Sequence, residues 1–143
     1  MAVQPYDEDD LTCEDILIRR VNPDQHVVFD ENTGKWRTSS KLFSPSSGPN
    51  DGMSIDIQKL IERDDLNVQD FVSNPTYTGS IFFDVGSARN AGLRVGYDPI
   101  HENPYHGEVW GTDKPNKFTR SQKRALIRSS AWLVEIQDVD IGS

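Results

Sequence analysis

Residues 16–57 read ILIRRVNPDQHVVFDENTGKWRTSSKLFSPSSGPNDGMSIDI, and the organisation of the rest of the chain follows from them. Three short segments have the β-branched or aromatic composition of strands: 16–18, 27–29 and 53–57. Turn and loop formers fill the spaces between them, at 22–24, 32–34 and 44–52. The stretch therefore predicts strands joined by polar, ordered loops, as in a domain that presents a surface or a pocket.

The composition is that of a single acidic domain. The chain has 143 residues and a formal net charge of −8, with 35% hydrophobic residues and a mean hydropathy of −0.62. This length suits one domain with an adequate core. The net negative charge makes nucleic acid an unlikely partner, because phosphate binding depends on Lys and Arg.

Cysteine usage and hydropathy bear on the compartment. Cys13 is the single cysteine, so it forms no internal disulfide, which suits a reducing cytosol. Its neighbours Glu14 and Asp15 disfavour the thiolate that a catalytic cysteine needs. No signal segment opens the sequence, and no apolar run approaches the roughly 20 residues of a membrane span. We expect a cytoplasmic protein with no membrane partner.

The distribution of charge predicts three parts. Residues 1–15 contain six acidic and no basic residues, which predicts a flexible acidic arm that orders only against a partner or the domain's own basic face. Residues 16–136 are expected to form one α+β domain, and residues 137–143 a frayed C-terminus.

The second half of the chain predicts further strands and one clear helix. Apolar or alternating segments at 80–83, 93–97, 107–110 and 132–136 are typical of strands. Thr119 and Gln122 have the spacing of a capping box at the start of a helix. The predicted fold is a single compact α+β domain with a curved, mostly antiparallel sheet and a C-terminal helix packed on one face.

One group of candidate functional residues lies late in the chain. His101, Glu102, His106 and Glu108 fall within one short segment, and imidazoles with carboxylates can bind zinc or supply a general base with an orienting acid. The spacing is not that of a helical zinc motif, and ordinary hydrogen-bonded histidines fit it as well. In an enzyme we expect His106, Glu108 and Asp30 to be the catalytic residues.

A second group lies on the early loops. Arg37, Ser39 and Ser40 are candidate binding residues, since a guanidinium and hydroxyls on adjoining loops can bind a phosphate, a ribose or a peptide end. Ser46 and Ser47 belong to the same group, although residues of these types also form ordinary turns. If the protein is an enzyme, these loops should share one pocket with His106.

A third group is a basic stripe on the predicted C-terminal helix. Arg120, Arg124 and Arg128 are four residues apart and so lie along one side of it. Six basic and no acidic residues occur between positions 114 and 128. Like charges at this spacing repel, so the stripe needs a solvated face, the acidic arm in cis, or a phosphate backbone or acidic protein in trans.

Several motifs are shared with a known group of proteins: Arg19-Arg20-Val21, Pro23-Asp24, Asp30-Glu31-Asn32, Ser39-Ser40-Lys41-Leu42-Phe43, Met53-Ser54-Ile55 and Asn103-Pro104-Tyr105-His106. In these motifs the chain resembles a group of small uncharacterised bacterial proteins. The resemblance covers about half of the chain. It implies a bacterial or mobile-element origin and a single-domain fold, and it carries no activity. The order Arg19 or Arg20, Ser39-Ser40, Glu108 is also similar to that of ADP-ribosyltransferases.

These observations favour a protein-binding or accessory component of a bacterial multi-gene module, such as phage defence or conflict, that docks through separate acidic and basic surfaces. One alternative is a small enzyme, a hydrolase or an ADP-ribosyltransferase-like transferase, with a His/Glu/Ser pocket. Another is nucleic-acid contact through the Arg120, Arg124 and Arg128 stripe. No phosphate-binding glycine loop or nucleophile elbow is present, and the sequence indicates no particular cofactor.

Overall fold

The computed structural model describes residues 3–45 and 51–142. The strands in these ranges are β1 Ile16–Val21, β2 Val27–Asp30, β3 Lys35–Thr38, β4 Met53–Ile57, β5 Gly79–Asp84, β6 Arg94–Tyr97, β7 His106–Trp110, β8 Ala131–Val134 and β9 Val139–Asp140. The α-helices are α1 Pro23–His26, α2 Gln58–Arg63, α3 Val68–Val72, α4 Val85–Asn90 and α5 Arg120–Ser129, and a 3₁₀ helix spans Ser40–Phe43. Ser46 and Ser47, in the predicted loop 44–52, lie outside the described residues.

Two sheets organise the chain. The larger sheet has the order β6-β7-β4-β1-β5-β8, and all of its neighbouring strands are antiparallel. The smaller sheet has the order β2-β3-β9, in which β9 pairs with β3 in parallel. Helix α5 packs against β5, α4 and the 3₁₀ helix. The predicted α+β class, with a mostly antiparallel sheet and a C-terminal helix, is confirmed.

Strand β1 lies inside the larger sheet and is buried on both faces. Leu17 and Ile18 are consecutive, so their side chains point to opposite faces of the sheet, and both are fully buried. This explains why the segment is a continuous apolar run, because a strand with only one buried face would alternate. Arg19 and Arg20 then place two charges on the same strand, within the sheet that holds the core.

Local sequence signals account for several element boundaries. Gly34 has a φ of +71° in the turn between β2 and β3, a conformation that favours glycine. The Ser39 side chain caps the 3₁₀ helix by accepting a hydrogen bond from the Lys41 amide at 3.3 Å. Thr119 and Gln122 form both hydrogen bonds of the capping box that the sequence predicts.

The C-terminal residues differ from their predicted description. Residues 137–143 were expected to be frayed, but they contain β9, which pairs with β3, and Val139 is buried. The Gly142 amide also donates to Thr38 Oγ1 at 3.0 Å. A strand of two residues is too short to give a hydrophobic period, so the sequence pattern could not reveal it.

The acidic N-terminal segment was also predicted differently, as a flexible arm outside the domain. Leu11 is fully buried in the core. The Glu8 amide donates to the Val95 carbonyl at 2.8 Å, and Arg89 donates to the carbonyls of Glu8 and Leu11, both at 2.7 Å. Arg89 also forms an ion pair with Asp7. The segment is therefore part of the domain, and its basic anchor lies on α4 rather than on α5.

The burial of Leu11 generates a test of this packing. Leu11→Ala removes a fully buried side chain, and it should lower the free energy of unfolding by about 3 kcal/mol because a cavity remains. Urea denaturation followed by circular dichroism measures the change. Glu14→Gln, at an exposed position of the same segment, is the control and should change stability by less than about 0.5 kcal/mol. Equal stability of the two variants would mean that the segment does not pack as described.

Candidate functional site

The cleft between β3 and α5 is lined by two groups of residues that are far apart in the sequence. It has a volume of about 590 Å³. Its polar lining comes from the early loops and from the first turns of α5: Arg37, Ser39, Ser40, Arg120, Lys123 and Arg124. Val28, Phe118 and Ile127 supply apolar surface, and we call this site the basic cleft.

The position of α5 makes the basic cleft strongly positive. Arg120 is the first residue of the helix, Lys123 and Arg124 follow within about a turn, and its first turn contains no acidic residue. Unpaired amides give a helix N-terminus a partial positive charge, which favours anions and disfavours cations. The three cations therefore add to the helix dipole instead of balancing it.

Arg37, on the other side of the cleft, is held in place by its own neighbours. Its Nε donates to Asp30 Oδ2 at 3.0 Å, and its Nη1 donates to the Thr38 carbonyl at 3.1 Å. The hydrogen bond from Arg37 lowers the pKa of Asp30 below its ordinary value. Asp30, which the sequence proposes as a catalytic residue, is thus the ion-pair partner that orients Arg37.

Five of the six predicted binding residues line the basic cleft: Arg37, Ser39, Ser40, Arg120 and Arg124. Arg128 is exposed and is not part of the lining. Lys123, one of the six basic residues between positions 114 and 128, also lines the cleft, although it is not among the predicted binding residues. Lys123 lies three residues after Arg120, and residues three apart are neighbours on a helix, so the sequence could have predicted that it lines the same site.

A second cleft lies at the surface of the larger sheet and has a volume of about 450 Å³. Its polar lining is Arg19, Arg20, Ser54, Asp56, Glu102, Asn103 and His106, and we call it the arginine cleft. Phe71, Tyr77 and Ile100 also line it. None of these residues belongs to the lining of the basic cleft.

Asp56 organises the polar groups of the arginine cleft. Its carboxylate accepts two hydrogen bonds from Arg20, from Nε at 2.8 Å and from Nη2 at 3.1 Å. It also accepts one from Asn103 Nδ2 at 2.6 Å. Asp56 is buried, so these bonds replace the water that its charge would otherwise require. The Arg20 guanidinium lies 5.5 Å from the centre of the Phe71 ring, which further fixes its plane.

His106 lines the arginine cleft with a defined tautomer. Its Nδ1 lies 2.6 Å from the carbonyl oxygen of Asp98, and because a carbonyl only accepts, Nδ1 carries a proton. In the neutral ring, Nε2 is then an acceptor. No hydrogen bond joins Nε2 to another residue in the described ranges. The imidazole can therefore bind a ligand in the cleft through this atom.

Glu108, the other predicted catalytic residue of β7, is enclosed in the protein. Its carboxyl accepts a hydrogen bond from the Gly52 amide at 2.9 Å, and only 5% of the residue is exposed. Burial raises the pKa of Glu108 to about 8, and the Asp98 carboxyl beside it contributes in the same direction. Glu108 thus fixes the chain before β4, and it is not part of the lining of either cleft.

The single pocket expected for an enzyme is not formed. His106 lines the arginine cleft, Ser39 lines the basic cleft, and Asp30 lines a third cleft beside β9. The physical reason is the topology, since β2 and β3 form a separate sheet from the one that contains β7. The residues that are similar in order to those of ADP-ribosyltransferases are divided in the same way.

The other histidines have different environments. His26 is buried, and its Nδ1 accepts the Asn22 amide at 2.9 Å. Burial lowers the pKa of His26 to about 4, and the positive charge of Arg19 acts in the same direction. His101 is exposed. Within residues 3–45 and 51–142, no three His, Cys, Asp or Glu side chains are grouped so that they could hold a metal ion.

Comparison with known proteins gave no relative. No protein-family model matches the sequence, and neither the curated proteins nor the solved structures include a significant match. Among the described residues, no helix is both long enough and apolar enough to cross a bilayer.

The environment of Glu108 predicts a pH-dependent stability. Its pKa is raised from 4.5 to about 8, so the native state keeps a proton that the unfolded chain loses in this interval. The contribution of Glu108 to the free energy of unfolding should therefore fall as the pH rises from 4.5 to 8, and Glu108→Gln should lack this contribution. His26, whose pKa is lowered to about 4, contributes in the opposite direction below pH 6.5, but it does so in parent and variant alike, so the difference between them isolates Glu108. Urea denaturation at about pH 5 and about pH 8.5 measures it, and the variant should gain stability over the parent at the higher pH.

A matched variant controls for the loss of one carboxyl group. Glu62→Gln makes the same chemical change at an exposed position of α2. Its stability relative to the parent should be nearly constant over the same pH range. If Glu108→Gln behaves like Glu62→Gln, the Glu108 carboxyl is ionised in the native protein and the assigned environment is wrong.

Proposed function

We propose that this chain is a protein-binding domain whose basic cleft docks an acidic segment of a partner protein. The observation that carries the proposal is the joint lining of one cleft by Arg37 from β3 and Arg120, Lys123 and Arg124 from α5. Among the residues that the structure describes, no Asp or Glu belongs to this lining. Complementary charge is the usual basis of steering and orientation between partners.

The α5 cations are available to such a partner. Within the described ranges, the side chains of Arg120, Lys123 and Arg124 form no ion pair or hydrogen bond with another residue. The sequence had suggested that the acidic N-terminal segment could neutralise them in cis. That segment is instead engaged elsewhere, by Arg89 and by Lys59, whose Nζ donates to the Asp10 carbonyl at 2.7 Å. The neutralising charge must therefore come from solvent ions or from another molecule.

An acidic protein segment fits this cleft better than nucleic acid does. The chain has a net charge of −8, so the field away from the cleft repels a long polyanion such as a nucleic-acid backbone. A short acidic peptide needs to approach only the cleft itself. Val28, Phe118 and Ile127 add apolar surface that can contact the side chains and backbone of a peptide. In this proposal the chain acts as an accessory component of a bacterial multi-gene module, the origin that its motifs imply.

Fluorescence anisotropy with a labelled oligoglutamate peptide tests the proposal. The peptide should bind, an oligoglutamine peptide of the same length should not, and the affinity should fall with rising salt. In the double variant Arg120→Glu/Arg124→Glu, the dissociation constant should rise by about tenfold or more, because two cations of the cleft become anions.

Arg128 on the same helix provides a matched control, and an oligothymidylate provides a competing ligand. Arg128→Glu changes an exposed arginine outside the lining, so its dissociation constant should stay within about twofold of the parent value. If Arg128→Glu weakens binding as much as changes inside the cleft, the positive charge of the helix as a whole is responsible. If an oligothymidylate of equal length binds more tightly than the peptide, the partner is a nucleic acid and the protein-docking proposal fails.

A further inference from the structure

Arg19 is a partly buried cation without a carboxylate partner. It lies on the inner strand β1 beside Arg20, but only Arg20 forms the ion pair with Asp56. No Asp or Glu in the described ranges forms an ion pair with Arg19. Desolvation of its guanidinium lowers the pKa of Arg19 to about 10. A charge removed from water is unfavourable unless another charge or a set of hydrogen bonds compensates for it.

The hydrogen bonds that Arg19 makes use only part of its guanidinium. Its Nε donates to the Leu42 carbonyl and its Nη1 to the Ser54 carbonyl, both at 2.9 Å. A guanidinium carries five N–H groups, so three remain, including both on Nη2. Within the described part of the chain, no acceptor binds these three. Two carbonyl bonds hold the side chain in one orientation and leave donors for a ligand.

The rest of the arginine cleft supplies more donors on one side and an apolar surface on the other. Arg20 gives two of its five N–H groups to Asp56 and so has three left. His106 offers Nε2, which can accept from a ligand hydroxyl or, when protonated, donate to an anion. Ile100 is 42% exposed at the cleft, and Tyr77 also lines it. Glu102, which is exposed, adds one acidic residue to the lining. Arg19 and Arg20 thus give the cleft a cationic end, and Ile100 and Tyr77 give it an apolar wall.

We propose that the arginine cleft binds a small phosphate ester, with the phosphate on Arg19 and Arg20 and the organic group against Ile100 and Tyr77. A phosphate monoester has three terminal oxygens, so it can accept a pair of N–H groups from each of two guanidinia, whereas a carboxylate has only two oxygens to share between them. This site goes beyond the docking function and shares no lining residue with the basic cleft.

Isothermal titration calorimetry with phenyl phosphate tests the site. The titration uses Arg120→Glu/Arg124→Glu protein as the parent, so that the basic cleft does not bind the probe. We expect one molecule of phenyl phosphate per chain, weaker binding of inorganic phosphate, and no binding of phenol. Absence of binding to this parent, together with binding to the wild type, would assign the phosphate to the basic cleft and overturn the proposal.

Two variants with equal exposure make the test specific. Ile100→Glu places a carboxylate at the arginine cleft, and it should weaken phenyl phosphate binding by about tenfold or more through repulsion. Leu66→Glu makes the same change at another residue that is 42% exposed but lies between α2 and α3. The Leu66→Glu variant should bind phenyl phosphate with the affinity of the parent. Equal affinities of the two variants would overturn the proposal, and both positions are exposed enough for the fold to survive.

Arg19→Gln provides an independent check of the phosphate contact. It removes the unpaired cation, and the variant should lose phenyl phosphate binding while circular dichroism remains that of the parent. If Arg19→Gln does not fold, the comparison of Ile100→Glu with Leu66→Glu decides alone. The docking proposal depends on Arg120 and Arg124, so failure of either proposal leaves a different experimental pattern.

Discussion

The ion pair between Arg20 and Asp56 is the interaction on which the rest of the structure depends. It joins β1 to β4 inside the larger sheet, and Asn103 ties the loop before β7 to the same carboxylate. Asp56 is buried, whereas the Arg20 side chain is 24% exposed. Removal of Arg20 leaves the Asp56 charge uncompensated, at a cost below the roughly 3–5 kcal/mol that is typical of fully buried pairs. The pair also assigns different roles to two consecutive arginines. Arg20 neutralises Asp56, and Arg19 is left as the cation that a ligand can reach.

The protein as a whole is acidic, yet cations line the basic cleft, and two arginines line the arginine cleft beside Asp56 and Glu102. The N-terminal carboxylates explain this contrast, because Asp7 pairs with Arg89 and Asp15 pairs with Lys59. These two contacts hold the N-terminal segment against α4 and α2, through Arg89 and Lys59, which belong to neither the basic cleft nor the arginine cleft. The N-terminal carboxylates therefore do not neutralise the cations of α5. The negative charge on the rest of the surface restricts which polyanions can approach these cations. The separation of charge is a result of the way the N-terminal segment packs.

The sequence predicts those parts of the fold that depend on neighbouring residues. Strands between clear turns and the Thr119 capping box are local features, and they are confirmed. The packing of Leu11 could not be predicted, because one apolar residue among many acidic ones gives no period. Prediction of the candidate site has the same limit. The spacing of Arg120 and Arg124 is local, whereas the approach of Arg37 to them, and the distance of Asp30 from the His106 cleft, depend on which strands pair across the chain.

The two clefts are linked by the short 3₁₀ helix, although no residue lines both. Ser40 begins this helix and lines the basic cleft, while the Leu42 carbonyl near its other end accepts from Arg19 of the arginine cleft. Arg19 and Ser40 are therefore both tied to the same four-residue helix. A change that displaces the 3₁₀ helix would therefore disturb the linings of both the basic cleft and the arginine cleft.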